Sequence, residues 1–97
     1  MRMIEEIKEV LARHKEELRE KYKVKEIGIF GSYIRGEYKK KSDLDILVEF
    51  EEVPGLFKFI ELEDYLSKIL RIKVDLVRKK ALREELKDGI LREAIYI

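Results

Sequence analysis

Gly31 and Ser32 are followed, after ten intervening residues, by Asp43-Leu44-Asp45. The first pair makes a tight turn rich in backbone donors, suited to a phosphate, and the second sets two carboxylates on one side of an extended segment, suited to a divalent cation. Together they point to a nucleoside triphosphate and its metal. The chain has only three serines, five aspartates and no Thr, Asn or Gln, yet Ser32, Ser42, Asp43 and Asp45 all fall in this window.

Each part also has a plainer reading. A lone Gly-Ser is a simple helix cap. Asp43 and Asp45 project to the same side, about 6.5–7 Å apart by strand rise, and repel unless something neutralises them. Mg2+ does so well, because it takes one or two carboxylates and completes its octahedron with water and substrate phosphates. Taken alone, the pair reads equally well as a solvated strand edge. Asp75 shifts that balance. It sits inside Ile72-Lys73-Val74-Asp75-Leu76-Val77, where an isolated aspartate is unfavourable by strand propensity and desolvation. A neighbouring strand bearing Asp43 and Asp45 would bring three carboxylates onto one surface, enough for two cations roughly 3.5–4 Å apart, as phosphoryl-type transfer uses. By itself, Asp75 is a polar residue on an open sheet face. Arg35, one helical turn beyond Ser32, can clamp a phosphate with its planar fork, or pair with Glu37, or with Asp43 or Asp45 when metal is absent. Ser42 is a supporting residue that orients a carboxylate or bonds the loop.

The elements that must position these groups follow from periodicity. Ile4, Ile7, Leu11, His14 and Leu18 recur at gaps of three and four, predicting one amphipathic helix over 3–21 with His14 as a packing residue. Val24–Phe30 reads as a strand stopped by Gly31, with a helical turn from Tyr33 to Gly36 and a basic loop Lys39-Lys40-Lys41. Asp43–Phe50 alternates as a second strand, with Leu44, Ile46 and Val48 on one face. After Pro54-Gly55 comes a helix with Leu56, Phe59, Ile60, Leu66, Ile69 and Leu70 on its stripe, then a strand over Arg71–Val77 and a helix over 81–94, broken or kinked near Gly89. Ile95-Tyr96-Ile97 has no clear place. The expected architecture is α/β: a small sheet of three or four strands covered by helices, in one domain spanning 1–97.

Ninety-seven residues allow one modest core, burying about 60–65% of the unfolded surface. With 22 basic and 21 acidic residues, bulk charge gives no reason to expect a membrane or DNA partner, and RNA is disfavoured. The lysine runs 39–41 and 78–80 read as solvated faces. No cysteine excludes disulfides and thiol chemistry, and no apolar run suits a membrane span or signal peptide. The reading is a soluble, cytoplasmic protein. A charged content of 44% without Asn, Gln or Cys fits a thermophile.

Gly31-Ser32-Tyr33-Ile34-Arg35-Gly36-Glu37, then Ser42-Asp43-Leu44-Asp45-Ile46-Leu47-Val48 and Val74-Asp75-Leu76-Val77, resemble the DNA polymerase β superfamily of nucleotidyltransferases, and most closely its minimal nucleotidyltransferase (MNT) antitoxins. The resemblance covers nearly the whole chain, including a final helix ending Glu93-Ala94-Ile95-Tyr96. Many relatives carry alanine where this chain has Ile34, a position expected to pack. The resemblance implies a nucleotidyltransferase fold in which Asp43 and Asp45 bind Mg2+ and the triphosphate, Gly31 and Ser32 hold the β/γ-phosphates, and Asp75 is a third carboxylate that helps activate the attacking hydroxyl. It also implies transfer of AMP from ATP to a tyrosine of a partner HEPN-domain toxin, with release of pyrophosphate. A domain this short has no room for an acceptor platform, so the acceptor is expected on a partner. Leu56-Phe57-Lys58-Phe59 and Ile95-Tyr96-Ile97 are candidate docking surfaces, with filling of the chain's own core the stronger reading. Two other functions compete: an antitoxin that neutralises by binding alone, and a nucleotidyltransferase acting on a small molecule or RNA. Self-modification of Tyr33 or Tyr38 is a further expectation to test.

Overall fold

The computed structural model describes residues 4–37 and 43–97. Its elements run α1 (Ile4–Arg13), α2 (Lys15–Tyr22), β1 (Val24–Phe30), α3 (Ser32–Arg35), β2 (Leu44–Phe50), α4 (Leu56–Leu70), β3 (Val74–Arg78), a 3₁₀ turn (Lys79–Ala81), α5 (Glu84–Glu93) and β4 (Ile95–Tyr96). The sheet order is β3-β2-β1-β4. β1 is antiparallel to both neighbours, whereas β2 and β3 run parallel and are joined through α4. A parallel pair requires such a crossover, because a tight hairpin cannot return the chain in the same direction.

Alternation along the strands decides the faces. Ile27 and Ile29 of β1, Leu44, Ile46 and Val48 of β2, and Val74 and Leu76 of β3 enter one core with Ile7, Val10, Leu11 and Leu18 of the first two helices and Leu62, Leu66 and Leu70 of α4. The intervening residues Asp45, Leu47, Glu49, Asp75 and Val77 therefore share the opposite face. One face of the sheet holds the fold together, which leaves the other free to carry polar groups.

Several expectations shift by a few residues. The first helix is two: at His14 (φ −103°, ψ 7°), the N–H bonds Leu11 O at 3.2 Å, an i→i−3 contact, and the ring Nδ1 lies 2.8 Å from Val10 O. That tightened turn ends α1, while His14 still packs, edge-on to Tyr65. Arg71, in the left-handed region (φ 57°), closes α4, so β3 begins at Val74 rather than Arg71. α5 passes through Gly89 without a break. Ile95-Tyr96 becomes the edge strand β4, opposite Ile29 and Gly28. A side chain at Gly28 would meet the Tyr96 ring at 3.0 Å and Ile95 O at 3.2 Å, so the missing Cβ lets β4 close onto β1.

β3 is the other edge, and α4 covers it. Glu63 Oε2 accepts the Leu76 N–H at 2.8 Å, and Ser67 Oγ accepts the Val74 N–H at 3.0 Å. These are edge donors that would otherwise invite another strand. They flank Asp75, so the strand that presents this carboxylate is fixed from both sides. Glu63→Ala is expected to cost about 1.5–3 kcal/mol, the usual range for a hydrogen bond to a charged group. Lys68→Ala, which removes an exposed ion pair to Asp64, should cost less than about 0.5 kcal/mol. Urea unfolding of the two variants checks this, and equal costs would contradict it.

Candidate active site

β1 ends at Phe30 and the chain turns at Gly31, which adopts φ 83°, ψ −152°, a conformation open essentially to glycine alone. A second constraint acts on the same atom. A Cβ built there would lie 2.1 Å from Asp45 Oδ2 and 2.9 Å from its carboxyl carbon. The turn and the carboxylate are therefore packed against each other, and Gly31 is what permits it. Ser32 then opens the single turn of α3, whose N–H groups at Ile34 and Arg35 bond Gly31 O at 3.1 and 3.2 Å. Ile34 packs against the core, as expected. Tyr33 is buried, 7% exposed. Tyr38, Lys39, Lys40, Lys41 and Ser42 lie outside the described residues, so the supporting role expected of Ser42 has no geometry here.

Asp43 stands just before β2, and Asp45 is its second residue. The parallel register sets Asp45 directly opposite Asp75, and paired residues of adjacent strands project from the same face about 4.7–4.9 Å apart along the hydrogen-bonding direction. Asp45 is half-buried while Asp75 is exposed. Burial, followed by the charges of Asp75 and Asp43, pushes the Asp45 carboxyl up to about 6 from its ordinary 3.8, against a smaller opposing pull from Arg35. The sheet thus brings together the three aspartates singled out in the sequence closely enough for their charges to interact. Among the described residues, no group of three or more acidic or histidine side chains is drawn tightly enough to cage a metal ion.

Arg35 does not bond the aspartates. Its Nε donates to Glu37 Oε1 at 2.7 Å and its NH1 group to Glu93 Oε1 at 3.0 Å. The same Glu93 oxygen accepts the Gly31 N–H at 3.0 Å. Sequence reasoning did not single out Glu93. A signal was present, because a carboxylate in the last turn of a helix opposes the negative end of the helix dipole and calls for a tertiary reason. A groove of about 620 Å³ elsewhere is lined by Arg13, Lys15, Arg19, Lys25 and Ile97 among others, and includes none of the three aspartates.

The sequence pattern of the nucleotidyltransferase domain family matches residues 11–97. The chain belongs to that family. It is a nucleotidyltransferase enzyme, 55% identical to the protein adenylyltransferase MntA of Thermococcus cleftensis over 100% of this chain and 98% of the relative. A solved minimal nucleotidyltransferase superposes with a TM-score of 0.72 at 35% identity, covering 92% of this chain and 93% of the other. A crystal structure of a toxin-antitoxin with AMP-PNP gives 0.68 at 26% identity, covering 87% of this nucleotidyltransferase and 69% of that chain. The expected nucleotidyltransferase fold is thereby established. No helix among the described residues is long and apolar enough to cross a membrane.

The raised Asp45 pKa sets a pH dependence for the metal-free protein. Because the folded value, about 6, lies above the ordinary 3.8, this group's contribution to stability is fully present below 3.8 and is lost as pH rises through 6. Asp45→Asn removes that loss. In EDTA, the variant's stability relative to wild type should be roughly 1–2 kcal/mol more favourable at pH 7.5 than at pH 4, after allowance for partial solvent screening. Chemical unfolding at the two pH values checks it, and a pH-independent difference would contradict it.

Proposed function

We propose that this nucleotidyltransferase is an antitoxin that transfers AMP from ATP to a tyrosine of a HEPN-type partner protein, with pyrophosphate as the leaving group. The observation that carries the reading is the register of Asp45 with Asp75, with Asp43 one residue before β2 and the Gly31 turn packed on Asp45. The relatives support the donor and the partner: one is named a protein adenylyltransferase, and one is a toxin-antitoxin structure holding an ATP analogue. The family resemblance supplies the tyrosine and the HEPN class.

In this reading Asp43 and Asp45 hold Mg2+ and, through it, the triphosphate, with Asp75 available to a second ion. Bound Mg2+ would neutralise the phosphates and the carboxylates that otherwise repel one another. The half-exposed Ser32, on the turn that Gly31 permits, receives the β/γ-phosphates. Asp75, the exposed member, faces the approaching acceptor and takes the proton of its hydroxyl. The tyrosine oxygen forms a bond to the α-phosphorus as the bond from that phosphorus to the bridging oxygen of the β-phosphate breaks. The chain contributes mainly positioning and charge complementarity.

The surface supports an acceptor that arrives on another protein. Leu56, Phe57 and Ile60 of α4 are 70%, 87% and 50% exposed, and Val53, in the loop before α4, is 58% exposed. The sequence favours core packing for Leu56 to Phe59. Instead Phe59 alone of the two phenylalanines turns inward, against Phe50, because Phe57 lies two residues away on the helix and cannot share its direction.

Incubation with the partner protein, ATP and Mg2+ should add one or more adenylyl groups to the partner, read by intact mass. Asp45→Ala should lower the rate by at least about 100-fold, as loss of a main electrostatic contact does. EDTA should abolish transfer. Full neutralisation of the partner by Asp45→Ala protein, with no mass gain from wild type, would favour neutralisation by binding alone.

A further inference from the structure

We propose that Glu93 is a positioning residue for nucleotide binding, an inference that deepens the function just proposed and rests on it. One carboxylate oxygen of Glu93 accepts both the Gly31 N–H and the Arg35 guanidinium, each at 3.0 Å. Through that oxygen the last residue of α5 ties together the turn and the cation beside it.

The backbone places it there. β4 pairs with β1 at Gly28 opposite Tyr96 and Ile29 opposite Ile95. The same antiparallel register carried two residues further sets Glu93 opposite Gly31. The edge strand therefore aims this side chain at the turn, and its length spans the remaining gap. Gly31 is buried, so its N–H needs a partner, and a carboxylate is the strongest acceptor available. The glutamate in turn sits where the helix dipole disfavours an anion, and Arg35 offsets that cost.

Glu93 acts as a brace rather than as an occupant of the phosphate position. Gly31 is enclosed, with the Asp45 carboxylate against its α-carbon. Ser32 is half-exposed, and among the described residues no bond is made by its N–H or hydroxyl. The donors open to an incoming phosphate thus belong to Ser32, while Glu93 holds the preceding peptide in the φ 83° conformation that presents them. Arg35 is held on its two sides by Glu37 and Glu93, which fixes its direction beside the turn. The C-terminal strand and helix become part of the nucleotide site, although neither carries a residue that touches the nucleotide.

The test compares wild type, Glu93→Gln and Glu93→Ala. Glu93→Gln keeps an oxygen for the Gly31 N–H, and Glu93→Ala removes it. In the unliganded proteins, amide hydrogen exchange at Gly31 should accelerate about 10-fold or more in Glu93→Ala and stay close to wild type in Glu93→Gln. Calorimetry with ATP and Mg2+ should show affinity falling about 10- to 100-fold in Glu93→Ala and by less in Glu93→Gln. In the transfer assay the loss should appear mainly in KM for ATP, since the turn contacts the triphosphate before as well as during reaction. Unchanged exchange at Gly31 overturns the brace. Tighter ATP binding by Glu93→Ala also overturns it, showing that the carboxylate competes with phosphate. If wild type transfers no AMP, the proposed reaction fails, while Gly31 exchange and ATP affinity still decide the role of Glu93.

Discussion

Repulsion among Asp43, Asp45 and Asp75 is the interaction on which the rest of this structure turns. The parallel pairing of β2 with β3 places Asp45 and Asp75 side by side, and half-burial of Asp45 removes much of the water that would screen them. A protein with no use for a cation gains nothing from this arrangement, which costs stability once the carboxylates ionise. In the proposed reaction, divalent metal and phosphate together would reverse the sign: the cation would neutralise the acids, and the triphosphate would complete its coordination. The unfavourable charge density would thereby become differential affinity for the substrate complex.

Other features hold that strained arrangement in place. The apolar residues of β1, β2 and β3 commit one face of the sheet to the core, so the acidic face cannot slip by one residue without exposing them. Glu63 and Ser67 reach from α4 to the outer N–H groups of β3 on either side of Asp75. On the other flank, β4 closes over Gly28 and sets Glu93 against the Gly31 turn. A carboxylate contact to backbone thus stands beside each half of the proposed site, Glu63 on β3 and Glu93 on the Gly31 turn.

The sequence made the site more legible than the scaffold around it. Gly31, Ser32, Asp43, Asp45 and Asp75 stand out because their types are rare in this chain or conflict with the apolar segments holding them, and the structure sets the three aspartates on one surface. The break at His14 was hidden, since 3.6-residue periodicity continues through it and only the local hydrogen bonding reveals two helices. β4 was hidden as well: two residues carry no alternation, and what makes them a strand is the open edge of β1 and the bare α-carbon of Gly28. Glu93 could not be separated from the many surface glutamates by composition. Its role depends on a register that exists only once β4 has docked.

The central claim is that burial, with the charges of Asp75 and Asp43, raises the Asp45 carboxyl in the metal-free protein and that a bound cation would lower it. Following the Asp45 carboxyl carbon by NMR across pH, with and without Mg2+ and ATP, tests it directly. The account predicts a midpoint of about 6 in the metal-free protein and a clear fall when Mg2+ and nucleotide are added. A midpoint near the ordinary 3.8 without metal, unmoved by Mg2+ and ATP, would contradict it.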